Sequence, residues 1–162
     1  MSFFLDHVVI SMDEDLDLNI KEIDFDACIK VINQELKTSK SENHTLCVYI
    51  RFVTSQNMKK LNSKYTGQNK ETNVLSFEPD SKKLDENGNC FGDIAICAEV
   101  LKREAKEQNK VFLDHLMHLF VHGVLHLFGY SHDLEHKAVN MESIEKEVLK
   151  KLSIDDPYQI EL

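Results

Sequence analysis

The chain has 162 residues and a formal net charge of −9, from 28 acids against 19 lysines and arginines. That length suits one ordinary domain able to bury roughly two thirds of its unfolded surface, and neither an internal repeat nor a low-complexity tract argues otherwise. The acidic balance excludes a protein that coats nucleic acid by bulk charge. The N-terminus lacks a basic region before its apolar residues, so it does not read as a signal peptide. The longest apolar run, Val111 to Tyr130, carries Asp114 and four histidines and cannot comfortably span a bilayer. Cys28, Cys47, Cys90 and Cys97 include no CxxC pair. They read as buried free thiols of a reducing compartment rather than as disulfides or metal ligands.

In chain order, His7 to Ser11 is a short strand rich in valine and isoleucine. Asp24 caps a helix that runs to about Lys37, with Ile29, Val31, Ile32 and Leu36 as its apolar side. Thr45 to Val53 is the clearest strand, with Leu46, Val48, Ile50 and Phe52 on one face. Ser55 caps a short helix to about Lys64, followed by a loop from Thr66 to Lys70 around Gly67. Strands are expected at Asn73 to Phe77 and Asp93 to Cys97, separated by a polar loop holding Pro79 and Gly88. Helices are expected from about Ala98 to Gln108, Val111 to Phe128 and His136 to Leu152. This order predicts a single α+β domain with one small mixed β-sheet and about five helices. The helix from Val111 is apolar on nearly all sides, so it should be central and buried.

That helix and the loop after it read His122-Gly-Val-Leu-His126-Leu-Phe-Gly129-Tyr-Ser-His132. Residues i and i+4 share a helix face, so His122 and His126 can point at one ion. Gly129 falls where the helix should stop and can take the left-handed conformation that turns the chain, carrying His132 to the same centre. Each histidine alone could be a hydrogen-bonded core residue, but the three with a glycine hinge point to a metal site. Three imidazoles leave a fourth position open, the pattern of catalytic rather than structural zinc, one ion per chain. His118 lies one turn upstream on the same face and His115 lies near it, each either orienting a ligand or simply packing.

The spacing also matches the protease pattern HExxHxxGxxH, with Gly123 in place of the glutamate. That glutamate is the proteases' general base. A glycine there removes the proton acceptor and is expected to ease substrate approach to the helix.

The run HGVLHLFGYSH resembles the signature HGxLHLxGYDH of the YbeY endoribonucleases of ribosomal RNA maturation. The likeness extends to Thr72-Asn-Val-Leu-Ser-Phe77, Phe91-Gly-Asp-Ile94, Met141-Glu142 and Asp156-Pro-Tyr158, thus from about Tyr65 to the C-terminus. The resemblance implies a metal-dependent, single-strand-specific RNA hydrolase of the cytoplasm that processes the 3' end of 16S ribosomal RNA, serves ribosome quality control and meets the ribosome. Two positions depart from the family pattern. Ser131 stands where aspartate is usual, with Asp133 as a nearby substitute, and Thr66 stands where arginine is usual. An arginine would clamp a phosphate. Lys64, Lys70 or Arg51 is expected to fill that role if anything does.

Charge is unevenly spread. Residues 1–26 hold eight acids against one lysine, whereas residues 51–83 hold seven lysines or arginines against three acids. The second stretch, which includes Arg51, Lys59, Lys60, Lys64 and Lys70, is either an RNA-facing surface leading into the TNVLSF segment or an ordinary solvated face. The ion is expected to polarise a phosphate oxygen, to activate water, or both, with His122, His126 and His132 as the residues that hold it. His118 and Asp133 are the candidate general bases. Rival readings are a zinc peptidase or other hydrolase that receives a carboxylate from elsewhere in the chain, and a non-catalytic ribosome-binding module.

Overall fold

The computed structural model describes residues 3–41, 43–79 and 84–159. Four strands form one mixed sheet in the order β1-β2-β4-β3, where β1 is Phe3–Met12, β2 His44–Val53, β3 Val74–Phe77 and β4 Asn89–Cys97. β1, β2 and β4 run parallel, and β3 closes one edge antiparallel to β4. The helices are α1 Phe25–Leu36, α2 Ser55–Thr66, α3 Ala98–Glu107, α4 Phe112–Leu127 and α5 Glu135–Lys151. The predicted α+β architecture with five helices is the one observed. No helix among the described residues is long and apolar enough to cross a membrane.

Alternation along β2 sets the layers. Leu46, Val48, Ile50 and Phe52 turn to one face, where they join residues of α1, α4 and α5 in the main core. Val53, with Ala95 and Cys97 of β4, meets Met58 of α2 in a smaller cluster that Leu75 and Phe77 of β3 flank. Within the main core Leu116, Phe120, Val121, Val124 and Leu125 of α4 have no exposed surface. Burial of each such side chain favours folding by about 1.5–3 kcal/mol, so α4 is the pillar of the domain. Phe120 also packs edge-on against Phe25 of α1 at 5.1 Å between ring centroids.

Several boundaries differ from expectation for local reasons. β1 begins at Phe3, and a bulge at Asp6 keeps it paired with β2 on both sides. β4 begins at Asn89, because residues 89–92 extend the parallel ladder to Thr45–Val48. Gly92 hid this extension from a hydrophobic reading. It sits under Leu127, whose Cδ1 would lie 2.9 Å from any added Cβ. The cap of α2 is Thr54, whose hydroxyl accepts from the Asn57 amide at 3.2 Å. Ser55 is the first helical residue, and its hydroxyl donates to Glu99 at 2.8 Å. Asp24 caps α1 as expected, accepting from Ala27 at 2.9 Å. Thr66 belongs to the end of α2, and Gly67 beyond it has φ of 76°.

Gly123 does not open the helix to a substrate. It is buried where α4 crosses the sheet: the Ser76 hydroxyl of β3 donates to its carbonyl at 3.2 Å. A Cβ there would lie 3.1 Å from Ser76 Oγ and 3.2 Å from Ile94 Cδ1. A protease-like glutamate at this position would be driven into the sheet. Gly123→Glu should therefore destabilise the chain by about 3 kcal/mol or more, read as a fall in the urea midpoint.

Candidate metal centre

The end of α4 builds the site through its own backbone. Gly129 has φ of 91°. Its amide donates to the His126 carbonyl at 3.0 Å, and the Tyr130 amide donates back to the Leu125 carbonyl at 3.0 Å. These are the paired bonds of a Schellman helix end, and they fold the chain over the last turn. The Tyr130 carbonyl then accepts a hydrogen bond from His126 Nδ1 at 3.0 Å. A carbonyl only accepts, so the proton of neutral His126 sits on Nδ1 and its Nε2 is a bare lone pair.

His122 is set in the same way by a different acceptor. Its Nδ1 donates to Glu145 of α5, a carboxylate with no exposed surface. His122 Nε2 and His126 Nε2 therefore face each other, 3.0 Å apart. Two lone pairs at that separation need a cation or a proton between them. His132, exposed at the rim, brings a third imidazole, with ring centroids 5.5 Å from His122 and 5.0 Å from His126. One nitrogen from each of the three rings lies within 4.8 Å of the others. Burial, reinforced by the neighbouring His122 ring, holds the pKa of His126 below the ordinary imidazole value. Neutral imidazole is the form that binds a metal. The donor set thus fits a divalent ion: two oriented Nε2 atoms, a third nitrogen from the loop, and an open side toward solvent.

Glu145 is the functional residue that sequence reasoning missed. Besides His122 it accepts from the Tyr158 hydroxyl, and His118 Nε2 lies 3.6 Å from its second oxygen. Burial alone would raise its pKa, but the nearby His118 and the hydrogen bonds from His122 and Tyr158 outweigh that and bring it down to about 2. Burial and the adjacent carboxylate push the Tyr158 phenol up, so it stays a donor. His118, expected near the site, therefore touches the carboxylate behind His122 and also lies 3.3 Å from the Tyr158 hydroxyl. His115 turns to α3 instead, with Nε2 3.1 Å from Glu104.

The remaining candidates are not brought to the histidines. Asp133 is exposed and makes no hydrogen bond or ion pair among the described residues. Ser131 Oγ is buried and has no hydrogen-bond partner among the described residues, so it holds none of the three imidazoles. The Thr66 hydroxyl folds back onto the Asn62 carbonyl at 2.8 Å. Lys64 Nζ sits 5.0 Å above the Tyr65 ring, and the Lys70 carbonyl accepts from the Asn62 amide group at 2.9 Å. Arg51 does not replace the absent arginine, because it is paired with Asp13 at 2.8 Å. Lys82 and Lys83 of the basic stretch lie outside the described residues. A cleft of about 620 Å³ opens beside His118 and Tyr158, lined by Glu107, Asp114, Asp155 and Asp156 with Lys110. Its acidic lining suits a phosphate poorly.

An α+β domain whose central helix ends in an open three-histidine cluster has the make-up of a metal-dependent hydrolase. Residues 11–153 match the family model described as Endoribonuclease YbeY. The chain belongs to that family. It is 44% identical to the Endoribonuclease YbeY of Colwellia psychrerythraea over 125 residues, 75% of this chain and 78% of the relative. It is 39% identical to that of Bartonella quintana over 141 residues, 86% and 89%. The solution structure of TM1509 from Thermotoga maritima shares the fold, with a TM-score of 0.53 at 21% identity over 94% of this chain and 99% of that one.

The lowered pKa of Glu145 has a direction in stability. The folded chain holds this carboxylate ionised below its unfolded value near 4.5, so the pairing stabilises above that pH and is lost as pH falls toward 2. The urea midpoint of the native chain should accordingly drop more steeply below pH 4.5 than that of Glu145→Gln.

Proposed function

We propose that the chain is a metal-dependent endoribonuclease that cleaves single-stranded RNA in ribosomal RNA maturation, at the 3' end of 16S ribosomal RNA and in ribosome quality control. Its ion is zinc, held by His122, His126 and His132, and its setting is the cytoplasm and the ribosome. The observation that carries the metal reading is the pair of lone-pair Nε2 atoms held 3.0 Å apart by acceptors behind each ring. The family relatives named as endoribonucleases carry the substrate class. When bound, a divalent ion supplies Lewis-acid polarisation of a phosphate oxygen and lowers the pKa of water at the open position. The chain's own residues do the rest. Glu145 and the Tyr130 carbonyl fix two imidazoles in the required tautomer, while Tyr158 and His118 hold Glu145 in place.

The single-strand preference finds support at the end of β3. Tyr65 is 55% exposed and stacks edge-on against Phe77 at 4.8 Å, with Lys64 above its ring. An exposed aromatic ring with an adjacent cation can take an unpaired base and its phosphate. Phe77 follows Ser76, the residue bonded to α4 at Gly123. The peptidase reading needs a carboxylate on the open side of the site. Glu145 is delivered instead to Nδ1, behind His122, and has no solvent-exposed surface. It cannot act as the base for a nucleophile arriving from outside.

The test is cleavage of single-stranded RNA by the native chain and by His126→Ala, with peptide and duplex RNA as controls. Metal-dependent cleavage of single-stranded RNA, lost in the variant, is expected; RNA binding without turnover would make the chain a binding module. Glu145→Gln should weaken zinc binding by about 10- to 100-fold in competition with a chromophoric chelator, with the fold retained. Acid should release the ion as protons occupy the imidazoles. Because the pKa of His126 lies below the ordinary 6.5, half-release in a zinc-retention titration should fall below that pH.

A further inference from the structure

The second face of the sheet carries another set of metal donors. Leu5 of β1 pairs with Leu46 and His7 with Cys47, so Asp6 is the extra residue of a bulge. Such a bulge re-aims side chains. Here Asp6 and His7, consecutive in the chain, both approach Cys47 of the neighbouring strand. His7 Nδ1 lies 2.8 Å from Asp6 Oδ2 and 3.4 Å from Cys47 Sγ. One oxygen, one nitrogen and one sulfur all lie within 4.8 Å of one another.

We propose that Asp6, His7 and Cys47 form a second divalent-cation site of zinc class, separate from the histidine cluster. Leu46 and Val48, on either side of Cys47, face the core that includes α4, so alternation turns Cys47 to the opposite face. The donor types select the ion. A thiolate beside an imidazole and a carboxylate favours a borderline ion such as zinc over magnesium or calcium, which prefer oxygen. Three protein donors leave one position for solvent.

Access and charge agree with this. Cys47 forms the floor of the site with 1% exposure, while the His7 and Asp6 side chains above it are 52% and 30% exposed. An ion therefore arrives from solvent through the histidine and the carboxylate, and the thiol proton leaves as the sulfur binds. Asp6 and Asp85 beside Cys47 give the site a negative surround that attracts a cation. Lys40 Nζ sits 3.5 Å from the other Asp6 oxygen, but its side chain is 71% exposed and can swing into water. A bound ion would pin the edge strand β1 to β2 at its bulge.

Cobalt(II) titration of the metal-free full chain tests this independently of the histidine cluster, which holds no sulfur. The native chain should develop a thiolate-to-cobalt charge-transfer band that saturates at one thiolate per chain. His122→Ala should keep that band. His7→Ala, at an exposed position that spares the fold, and Cys47→Ser should each lose it, with affinity at this site reduced by about tenfold or more, while retaining the sulfur-free cobalt spectrum of the histidine site. Absence of the band in the saturated native chain would overturn the proposal. So would its persistence in both His7→Ala and Cys47→Ser, since the sulfur would then belong to Cys28, Cys90 or Cys97. Failure of the histidine site would show separately, as loss of the sulfur-free spectrum with the thiolate band intact.

Discussion

A carboxylate with no exposed surface is costly unless each oxygen is paired, and Glu145 meets that condition with groups from two other parts of the chain. His122 of α4 and Tyr158 of the C-terminal segment donate to it, with His118 beside them. The requirement runs both ways. Glu145 needs these partners to remain buried, and they in turn fix where α5 and the C-terminal segment sit against α4. The same bond determines which nitrogen of His122 carries its proton. Packing of three elements and the electronic state of one imidazole are thus a single arrangement.

The second constraint is the close approach of α4 to the sheet at Gly123 and, through Leu127, at Gly92. Because α4 lies so near β3 and β4, its last turn is rigid when the chain reverses at Gly129. The reversal itself supplies the Tyr130 carbonyl that orients His126. Rigid packing before the turn and a backbone acceptor after it hold two nitrogens at a separation that neutral imidazoles would not choose alone. The helix that stabilises the domain is therefore also the one that stores the site's geometry.

The histidine cluster was legible in the sequence because its logic is local: an i, i+4 pair on one helix face, then a glycine that ends the helix. The strands of the core were legible for a similar reason, since alternation in Thr45 to Val53 reports burial directly. Glu145 was not, because it lies 23 residues from His122 on another helix. A signal existed: it falls on the apolar face of α5 with Met141, Val148 and Leu149, whereas Glu147 is exposed. The basic stretch was legible only in part, for the opposite reason. Charges summed along the chain ignore partners from elsewhere, and Asp13 answers Arg51 from 38 residues away. The Asp6, His7 and Cys47 group was invisible because it depends on a strand pairing across 40 residues and on a bulge that polar residues do not announce.

The account stands on an ion held by three imidazoles, two of them with tautomers the fold has already chosen. Diffraction from zinc-loaded crystals at the zinc absorption edge tests this most directly. An anomalous peak at about 2.0–2.1 Å from Nε2 of both His122 and His126 and from a ring nitrogen of His132 is the predicted result. A zinc-loaded chain with no peak at that position, or with the ion bound through Nδ1 after His122 has left Glu145, would contradict it.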